Sequence, residues 1–281
     1  MNIINAIINL VKYKVTELNQ YNNLANRVNS RGDALEEYIK NLFAGTFDKD
    51  CEERIKKLND VFSYLGNNSN PPDAMLRGGD AIEVKKIERD NSALALNSSY
   101  PKQKIFSNSS MISKKCREAE EWSEKDIIYA VGVVDSKSNK LKHLCFVYGI
   151  DYCASDETYS KIKKTIKKGI ESIKDVEFVE SKELGHINSV DPLGITYMRI
   201  RGMWGIANPW KVFDYVYTRN LEKDFNFMCI INKEKYEQFD NTNELEELAQ
   251  SEENLEILDI KIKDPDRINE EKKAKLIKFT L

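Results

Sequence analysis

The sequence predicts an α/β fold, with a mixed central β-sheet flanked by helices. Two apolar segments, residues 127–134 and 144–150, have the length and the branched and aromatic side chains typical of strands, and the polar segment 135–139 joins them. Helical and strand-like segments alternate through the second half of the chain. The 281 residues contain no repeat and no long linker. We therefore expect one domain over residues 1–281, with a core at about 30–150 that the C-terminal half extends.

The first half of the chain is predicted to begin with three helices. Apolar residues at helical spacing place them at residues 1–20, 34–44 and 51–60, and an asparagine-rich link, residues 19–29, follows the first. Asp33 is the expected N-cap of the second helix, Glu36 completes a capping box, and Gly45 ends the helix. The remaining elements predicted here are strands over 61–65, 73–76 and 81–87 and a helix over 110–124.

The second half is predicted to alternate. Helices are expected over 156–173 and 209–219, and strands over 176–180, 195–201, 226–232 and 255–262. In the first of these helices, Ile162, Ile166 and Ile170 predict a buried stripe, and the lysines of 161–168 predict a solvated face, with a basic cleft as the alternative. The Lys/Glu run around Glu270 is typical of a solvated helix.

Composition argues against several classes of protein. A formal net charge of −3 is unfavourable for non-specific coating of nucleic acid, although it allows a local basic cleft. The sequence has neither an apolar run of membrane-spanning length nor the basic leader of a signal peptide, so a cytoplasmic protein is expected. The five cysteines are scattered and odd in number, which favours buried free thiols over disulfides or a zinc site at His143, Cys145 and Cys153.

The residues that carry chemistry lie on the hairpin predicted over 73–87. Asp73 follows a proline at the start of one strand, the glycines of Arg77-Gly-Gly-Asp80 favour a turn, and Glu83 and Lys85 follow on the next strand. Because side chains alternate along a strand, Glu83 and Lys85 point to one face, and Asp73 can converge on them. Two carboxylates beside an ammonium suit a divalent metal and a water nucleophile.

Spacing alone leaves a second interpretation open, a surface hairpin whose charges face water. The chain is 32% charged, and acid-any-lysine triplets occur elsewhere. The other examples are Asp135-Ser-Lys137, Glu180-Ser-Lys182, Asp259-Ile-Lys261 and Glu270-Glu-Lys272. Glu180 has no Pro-Asp hairpin before it, and Glu270 lies in a Lys/Glu run that is typical of a solvated helix.

Three longer motifs resemble a known family. Tyr64-Leu-Gly-Asn-Asn-Ser-Asn-Pro-Pro-Asp73, Asp80-Ala-Ile-Glu-Val-Lys-Lys-Ile-Glu88 and Arg201-Gly-Met-Trp-Gly-Ile206 are similar to the NgoPII-type restriction endonucleases of the PD-(D/E)XK nuclease superfamily. The likeness extends from about residue 30 to residue 215. It implies the restriction-endonuclease-like PD-(D/E)XK core, the cofactor Mg2+, and palindromic duplex DNA as substrate, with GGCC as the site. It says nothing about the last sixty or so residues.

The resemblance also implies roles for individual residues. Asp73 and Glu83 become metal ligands, and Lys85 becomes the group that orients the attacking water. Glu36 matches an acidic residue that the first helix of the superfamily often points at the metal, although its capping-box role fits equally well. Metal and ammonium placed at the phosphate would stabilise the transition state.

DNA recognition requires other residues. Arg199 and Arg201 alternate on one strand face, and arginine matches the O6 and N7 acceptors of guanine. Pairing of both arginines with surface acids is the alternative. Further DNA contacts are expected from Asn70, Asn97, Ser98, Ser99 and Lys102, although the asparagines and serines could instead cap turns.

The function expected is that of a type II restriction endonuclease that leaves 5′-phosphates. The alternatives are a structure-specific repair or junction nuclease of the same superfamily and a catalytically inactive DNA-binding module. The resemblance implies a companion methyltransferase acting on the same site, and a palindromic site favours a homodimer. The N-terminal stripe of Ile3, Ile4, Ile7, Ile8 and Val11 could supply the dimer contact or could be buried in the chain's own core.

Overall fold

The structure is a computed structural model that describes residues 1–18, 31–67, 69–135, 137–181 and 183–281. For residues 31–33 it describes the backbone alone. The asparagine-rich link predicted over 19–29 lies outside the described residues, and so does the side chain of Asp33.

Nine helices, several of a single turn, occur in the described parts of the chain. They are α1 (Ile3–Tyr13), α2 (Arg31–Ala44), α3 (Cys51–Val61), α4 (Lys114–Arg117), α5 (Gly149–Tyr152), α6 (Asp156–Glu171), α7 (Pro209–Val212), α8 (Lys233–Tyr236) and α9 (Thr242–Ser251). α2 begins at Arg31, before the residue expected to cap it, and ends where Gly45 adopts a φ of +62°.

The strands form one large sheet and two small ones. They are β1 (Phe62–Tyr64), β2 (Ala74–Leu76), β3 (Ala81–Ile87), β4 (Leu94–Asn97), β5 (Lys104–Phe106), β6 (Glu124–Val134), β7 (Leu141–Tyr148), β8 (Glu177–Phe178), β9 (Gly185–Asn188), β10 (Met198–Ile200), β11 (Trp204–Ile206), β12 (Asn226–Asn232), β13 (Leu255–Lys263) and β14 (Glu271–Thr280).

The large sheet is mixed, as predicted. Its order is β1-β2-β3-β6-β7-β12-β14-β13, with β5 also paired to β6. β3 runs parallel to β6 and β12 runs parallel to β7, whereas the other pairs are antiparallel. The small sheets are β8-β9-β10 and β4-β11.

Both faces of the large sheet are covered. On one face, α1 buries its isoleucines against Leu35 and Leu42 of α2 and against Leu245 of α9. On the other face, Met75, Val131 and Cys145 pack with the segment that contains Trp210 and Phe213. The N-terminal stripe of Ile3, Ile4, Ile7, Ile8 and Val11 therefore belongs to the core of the chain, and its alternative role as a dimer contact is wrong.

Three predicted helices are shorter or absent. The segment 110–124 contains only the single turn α4, because Glu120 leaves helical geometry to accept a hydrogen bond from Gly78 N–H at 2.9 Å. α1 ends at Tyr13, and Lys14 then adopts a φ of +52°. The helix predicted over 209–219 is limited to α7, Pro209–Val212.

The Lys/Glu run around Glu270 is a strand, so the helix predicted there is wrong. β14 pairs with β12 on one side and β13 on the other. Its lysines meet acids across the strand pair, with Lys275 3.0 Å from Asp259 and Lys278 3.0 Å from Glu256. Cross-strand ion pairs, which lie far apart in the sequence, account for the charged pattern.

The prediction of a buried isoleucine stripe on α6 is also wrong. Ile162 is 47% exposed and Ile166 is 42% exposed, and no residue of this helix is buried. Tyr159 anchors the start of the helix against the aromatic rings of Tyr100 and Trp204. Lys163, one turn further along the helix, lines the cavity beside these rings, whereas Ile162 and Ile166 are exposed.

The cysteines are free thiols. Cys116, Cys145, Cys153 and Cys229 are buried, as predicted, whereas Cys51 is exposed. Among the described residues, no helix has the length and apolar character needed to cross a membrane.

Candidate active site

The predicted hairpin forms, and it fixes Asp73 twice. Ala74 pairs with Ile82 and Met75 pairs with Ala81 in the antiparallel β2–β3 ladder. Just before β2, the backbone N–H of Asp73 donates to the carbonyl of Ile82 at 3.0 Å. The carboxylate Oδ2 of Asp73 accepts from the backbone N–H of Val84 at 2.6 Å. Asp73 is therefore held beside the strand that carries the other two predicted residues.

Glu83 and Lys85 lie on one face of β3, as their spacing predicts. Nζ of Lys85 donates to Oε1 of Glu83 at 2.7 Å, and both side chains are more than three-quarters shielded from solvent. β3 is an interior strand between β2 and β6. A rigid interior strand limits the movement of both side chains, which favours precise placement of a substrate.

Burial and mutual repulsion set the charge of this site. Burial raises the pKa of Asp73, although Lys85 and the Val84 N–H act in the opposite direction. Burial, followed by the charge of Asp73, raises the pKa of Glu83 to about 7. Burial opposes the charge of Lys85, but the charges of Glu83 and Asp73 outweigh it and raise the pKa of the ammonium. The site therefore combines a protonated lysine with carboxylates whose full ionisation requires further positive charge.

The chemistry of these donors suits a hard divalent cation. The hydrogen bonds use Oδ2 of Asp73 and Oε1 of Glu83, which leaves the second oxygen of each carboxylate outside them. Among the described residues, no group of three or more His, Cys, Asp or Glu side chains is arranged to hold a metal ion. A cation here would bind two carboxylates, with waters and substrate oxygens as its other ligands, which is the usual pattern for Mg2+.

Helix α2 brings two further charges to the site. The charge of Glu36 acts on Lys85, and the charge of Lys40 acts on Asp73. The two residues are four apart and so share a helix face. Next to them, Glu37 pairs with Lys40 at 3.4 Å and also with Arg54. The helix thus approaches the hairpin through the residue that the resemblance implied.

The segment after β4 supplies Lys102. The backbone N–H of Lys102 donates to the hydroxyl of Tyr129 at 2.8 Å, and Tyr129 pairs with Glu83 across β3 and β6. Lys102 also contributes positive charge at Glu83. Ser98 and Ser99 line the cavity that contains Lys102. These predicted DNA-binding residues therefore lie beside the β2–β3 hairpin.

The predicted asparagines occupy less direct positions. The side-chain amide of Asn70 donates to the carbonyl of Met111 at 2.9 Å. In a local turn, the backbone N–H of Asn70 donates to Oδ1 of Asn67. Asn97 has a φ of +52° and pairs with Trp204 at the end of β4. Both therefore shape loops at the edge of the site, which was the alternative expected for them. Their DNA contacts stay predictions.

Arg199 and Arg201 both pair with one acid. Glu183 accepts from Arg199 at 2.7 and 2.8 Å and from Arg201 at 2.6 Å. Both arginines are exposed, whereas the side chain of Glu183 is only 16% exposed. The two guanidinium groups hold the pKa of Glu183 below its ordinary value. The acid-paired alternative is thus present in the chain without DNA, and base reading stays a prediction.

Sequence reasoning missed several residues around the site. Lys40 could have been found from its spacing to Glu36 on the face of α2. Tyr129 could not, because β6 reaches the site only through its pairing with β3. Lys163 belongs to the lysine cluster 161–168, for which a basic cleft was the alternative, and it lines the cavity next to Lys102.

Comparison with known proteins gives a full-length match. A sequence profile of the family described as NgoPII restriction endonuclease matches residues 1–263. The Type II restriction enzyme NgoPII of Neisseria gonorrhoeae is 59% identical over 281 residues, which is 100% of both chains. No solved structure matches the chain.

Proposed function

This chain belongs to the NgoPII restriction endonuclease family, and from that premise we propose that Asp73, Glu83 and Lys85 form its catalytic centre. The chain is a type II restriction enzyme, a site-specific deoxyribonuclease. The observation that supports the catalytic assignment is the convergence of the three side chains on one hairpin, with Asp73 bonded to Val84 and Lys85 bonded to Glu83.

The proposed reaction is hydrolysis of a phosphodiester with Mg2+. Asp73 and Glu83 would hold the ion, whose charge offsets the negative charge that develops on the phosphate. Lys85, fixed by Glu83, orients the water that adds to phosphorus. The bond from phosphorus to the 3′ oxygen breaks, and the products carry a 5′-phosphate and a 3′-hydroxyl. Glu36, whose charge acts on Lys85, is proposed to assist at the same site.

The arrangement of the hairpin supports a PD-(D/E)XK core. The Pro-Asp strand β2 lies antiparallel to β3, and β3 in turn lies parallel to β6 in a mixed sheet with helices on its faces. The three catalytic positions match the motif without a departure. We therefore assign the chain to this superfamily and expect GGCC as its site.

Recognition of guanine is proposed for Arg199 and Arg201. Both lie on or beside β10, where Glu183 already aligns their guanidinium groups toward one acceptor. Guanine O6 and N7 would replace the carboxylate oxygens of Glu183. The arginines would then lose their charge-assisted hydrogen bonds to Glu183 and form new ones to guanine. A base without two acceptors could not replace the lost bonds, which would favour guanine.

A homodimer is the proposed working unit. One catalytic hairpin can cut one strand, and a palindrome presents the same edges to two copies related by a two-fold axis. The segment 162–203 carries many exposed apolar side chains that a partner would cover. They are Ile162, Ile166, Ile173, Val179, Val190, Leu193, Ile195, Tyr197, Met198 and Met203. A companion methyltransferase is expected to protect the same site in the host.

Digestion of a plasmid of known sequence tests this function. We expect discrete bands that require Mg2+ and disappear with EDTA, and run-off sequencing should place breaks in both strands at GGCC. Cutting confined to branched or flapped duplexes would support the repair or junction nuclease instead. Tight binding without any cutting in Mg2+ would support an inactive DNA-binding module.

A further inference from the structure

A cavity of about 330 Å³ lies next to the catalytic hairpin. Pro71, two residues before Asp73, forms part of its wall, and Ser98, Ser99 and the loop 108–112 form much of the rest. Arg117 fixes that loop, since its guanidinium donates to the carbonyls of Ser107 at 2.7 Å and Ser109 at 3.0 Å. The cavity therefore has a defined polar wall with hydroxyl groups.

Two lysines face this cavity. Lys102 lies in the segment after β4, and Lys163 lies on α6. Burial lowers the pKa of Lys102 and repulsion from Lys163 adds to this effect, whereas the charges of Asp156 and Glu83 act in the opposite direction. Asp156 also lines the cavity, but one carboxylate leaves the two lysines with a net positive charge, which favours a further anion in a partly buried site. A third lysine in the wall, Lys104, is already paired with Glu124 at 2.7 Å.

Tyr100 and Asp156 position Lys102. Nζ of Lys102 lies 4.0 Å above the ring of Tyr100, and Tyr100 hydrogen-bonds to Asp156 at the start of α6. The aromatic face that could otherwise stack on a base is thus covered by an ammonium group. This arrangement favours a phosphate over a nucleobase as the occupant.

We propose that this cavity binds a single backbone phosphate of the DNA, adjacent to the phosphodiester that is cut, through Lys102 and Lys163. The proposal rests on the proposed nuclease function and extends its substrate contacts by one phosphate. Lys102 also adds positive charge at Glu83. Lys102 would therefore connect the phosphate bound in the cavity with the proposed catalytic carboxylates. It would keep the scissile phosphodiester aligned with those carboxylates.

The test couples a lysine substitution to the removal of one phosphate charge. Duplexes that carry a single neutral methylphosphonate at successive positions are bound to wild type, Lys163→Ala and Lys164→Ala in Ca2+, where no cutting is needed. Lys164 is the matched control because it is the next residue of α6 and is exposed. For wild type and Lys164→Ala we expect a loss of about tenfold in affinity at one position next to the cut. For Lys163→Ala, which still has Lys102, the same methylphosphonate should cost clearly less affinity than it does for wild type.

Several outcomes would overturn the proposal. One is an equal sensitivity of Lys163→Ala and wild type at every position. Another is saturable binding of inorganic phosphate that Lys163→Ala abolishes, together with no difference between Lys163→Ala and wild type in their response to the methylphosphonates. The cavity would then be a site for free phosphate. Failure of the nuclease function itself would show separately, as uncut plasmid in Mg2+ with the coupling intact.

Discussion

The N–H of Val84 donates a 2.6 Å hydrogen bond to the carboxylate of Asp73, and Val84 stands between Glu83 and Lys85. This bond ties the first of the three proposed catalytic residues to the backbone of the strand that carries the other two. Because the donor is a main-chain group, a side-chain substitution at Val84 leaves it in place. The geometry of the site thus depends on the β2–β3 register, and the chemistry depends on the three side chains.

We expect Asp73→Asn and Glu83→Gln to reduce cleavage at least about a hundredfold, because each removes a charge that acts in the transition state. Initial rates of plasmid cutting in Mg2+ measure the effect. Glu88→Gln is the matched control, since Glu88 follows β3 and is exposed, and its rate should equal that of wild type. A near-normal rate for either carboxylate variant would show that the assignment of the site is wrong.

The stability of the protein should report the titration of Glu83. Its pKa is raised from 4.5 to about 7, so the fold favours the protonated acid. The stabilisation is complete below about pH 4.5 and is lost as pH rises through about 7. At pH 8 without divalent ions, Glu83→Gln should therefore be more stable than wild type, by on the order of 1–3 kcal/mol.

Divalent ions should reverse the order of stability of wild type and Glu83→Gln at pH 8. Mg2+ binding to ionised carboxylates stabilises the native state, so it should raise the melting temperature of wild type more at pH 8 than at pH 5. Glu83→Gln should show little of this effect. Thermal unfolding at both pH values, with and without Mg2+, measures it, and an equal shift in both proteins would place the metal elsewhere.

Recognition through the arginines predicts a loss of discrimination. Arg199→Ala or Arg201→Ala should weaken binding to a GGCC duplex by about 1–3 kcal/mol more than binding to a random duplex. Arg267→Ala is the control, since Arg267 is likewise exposed and paired with an acid, Glu270, at 2.9 Å. Equal losses on both duplexes would reassign the arginines to phosphate contacts. No loss on either duplex would remove them from the interface.

A dimer that uses α6 should be sensitive to a charge at its centre. Ile166→Asp should shift the protein to monomer in light scattering, with or without a specific duplex in Ca2+. Ile268→Asp should leave the dimer intact, because Ile268 is 88% exposed and lies outside the segment 162–203. A wild-type complex of one monomer with one duplex would contradict the proposal.

The ion pairs of Lys235 with Asp80 and Asp126 should stabilise the folded protein. Lys235 lies 2.9 Å from Asp80 and 2.7 Å from Asp126, and Tyr148 donates to Asp80 at 2.6 Å. Lys235→Ala leaves two largely buried carboxylates without their cation and should lower the free energy of unfolding by about 3–5 kcal/mol. Lys233→Ala, which removes an exposed pair with Glu237, should cost less than about 1 kcal/mol. Urea unfolding measures both.

The β2–β3 hairpin was predictable because its determinants are local. Gly78, with a φ of +63°, supplies the turn, and the alternation of Glu83 and Lys85 needs no knowledge of the rest of the chain. Helix α2 was predicted from its apolar face at helical spacing, and the antiparallel pair β6–β7 from two apolar runs joined by a polar turn, which are also local features.

The errors arose where tertiary contacts set the structure. The isoleucine pattern of α6 indicates its apolar face, but tertiary packing decides how much of that face is covered. Tyr159 packs against Tyr100 and Trp204, whereas Ile166, two turns further along nearly the same face, is 42% exposed. β14 was missed because its lysines find their acids on another strand. The contacts of both candidate arginines with Glu183 likewise depend on the pairing of β9 with β10. From the sequence, pairing with surface acids could therefore be given only as an alternative.

The order of the sheet determines when the enzyme becomes complete during synthesis. β2 and β3 leave the ribosome early, whereas β7 acquires its second neighbour only after β12 is made, and β12 in turn pairs with β14. α1 also waits, because Asn2 bonds to Asn241 and Lys12 pairs with Glu244 of α9. Contacts between such distant segments form slowly. A growing chain therefore carries the proposed catalytic residues and their neighbouring strands well before it has the strands β12 and β14 that complete the sheet.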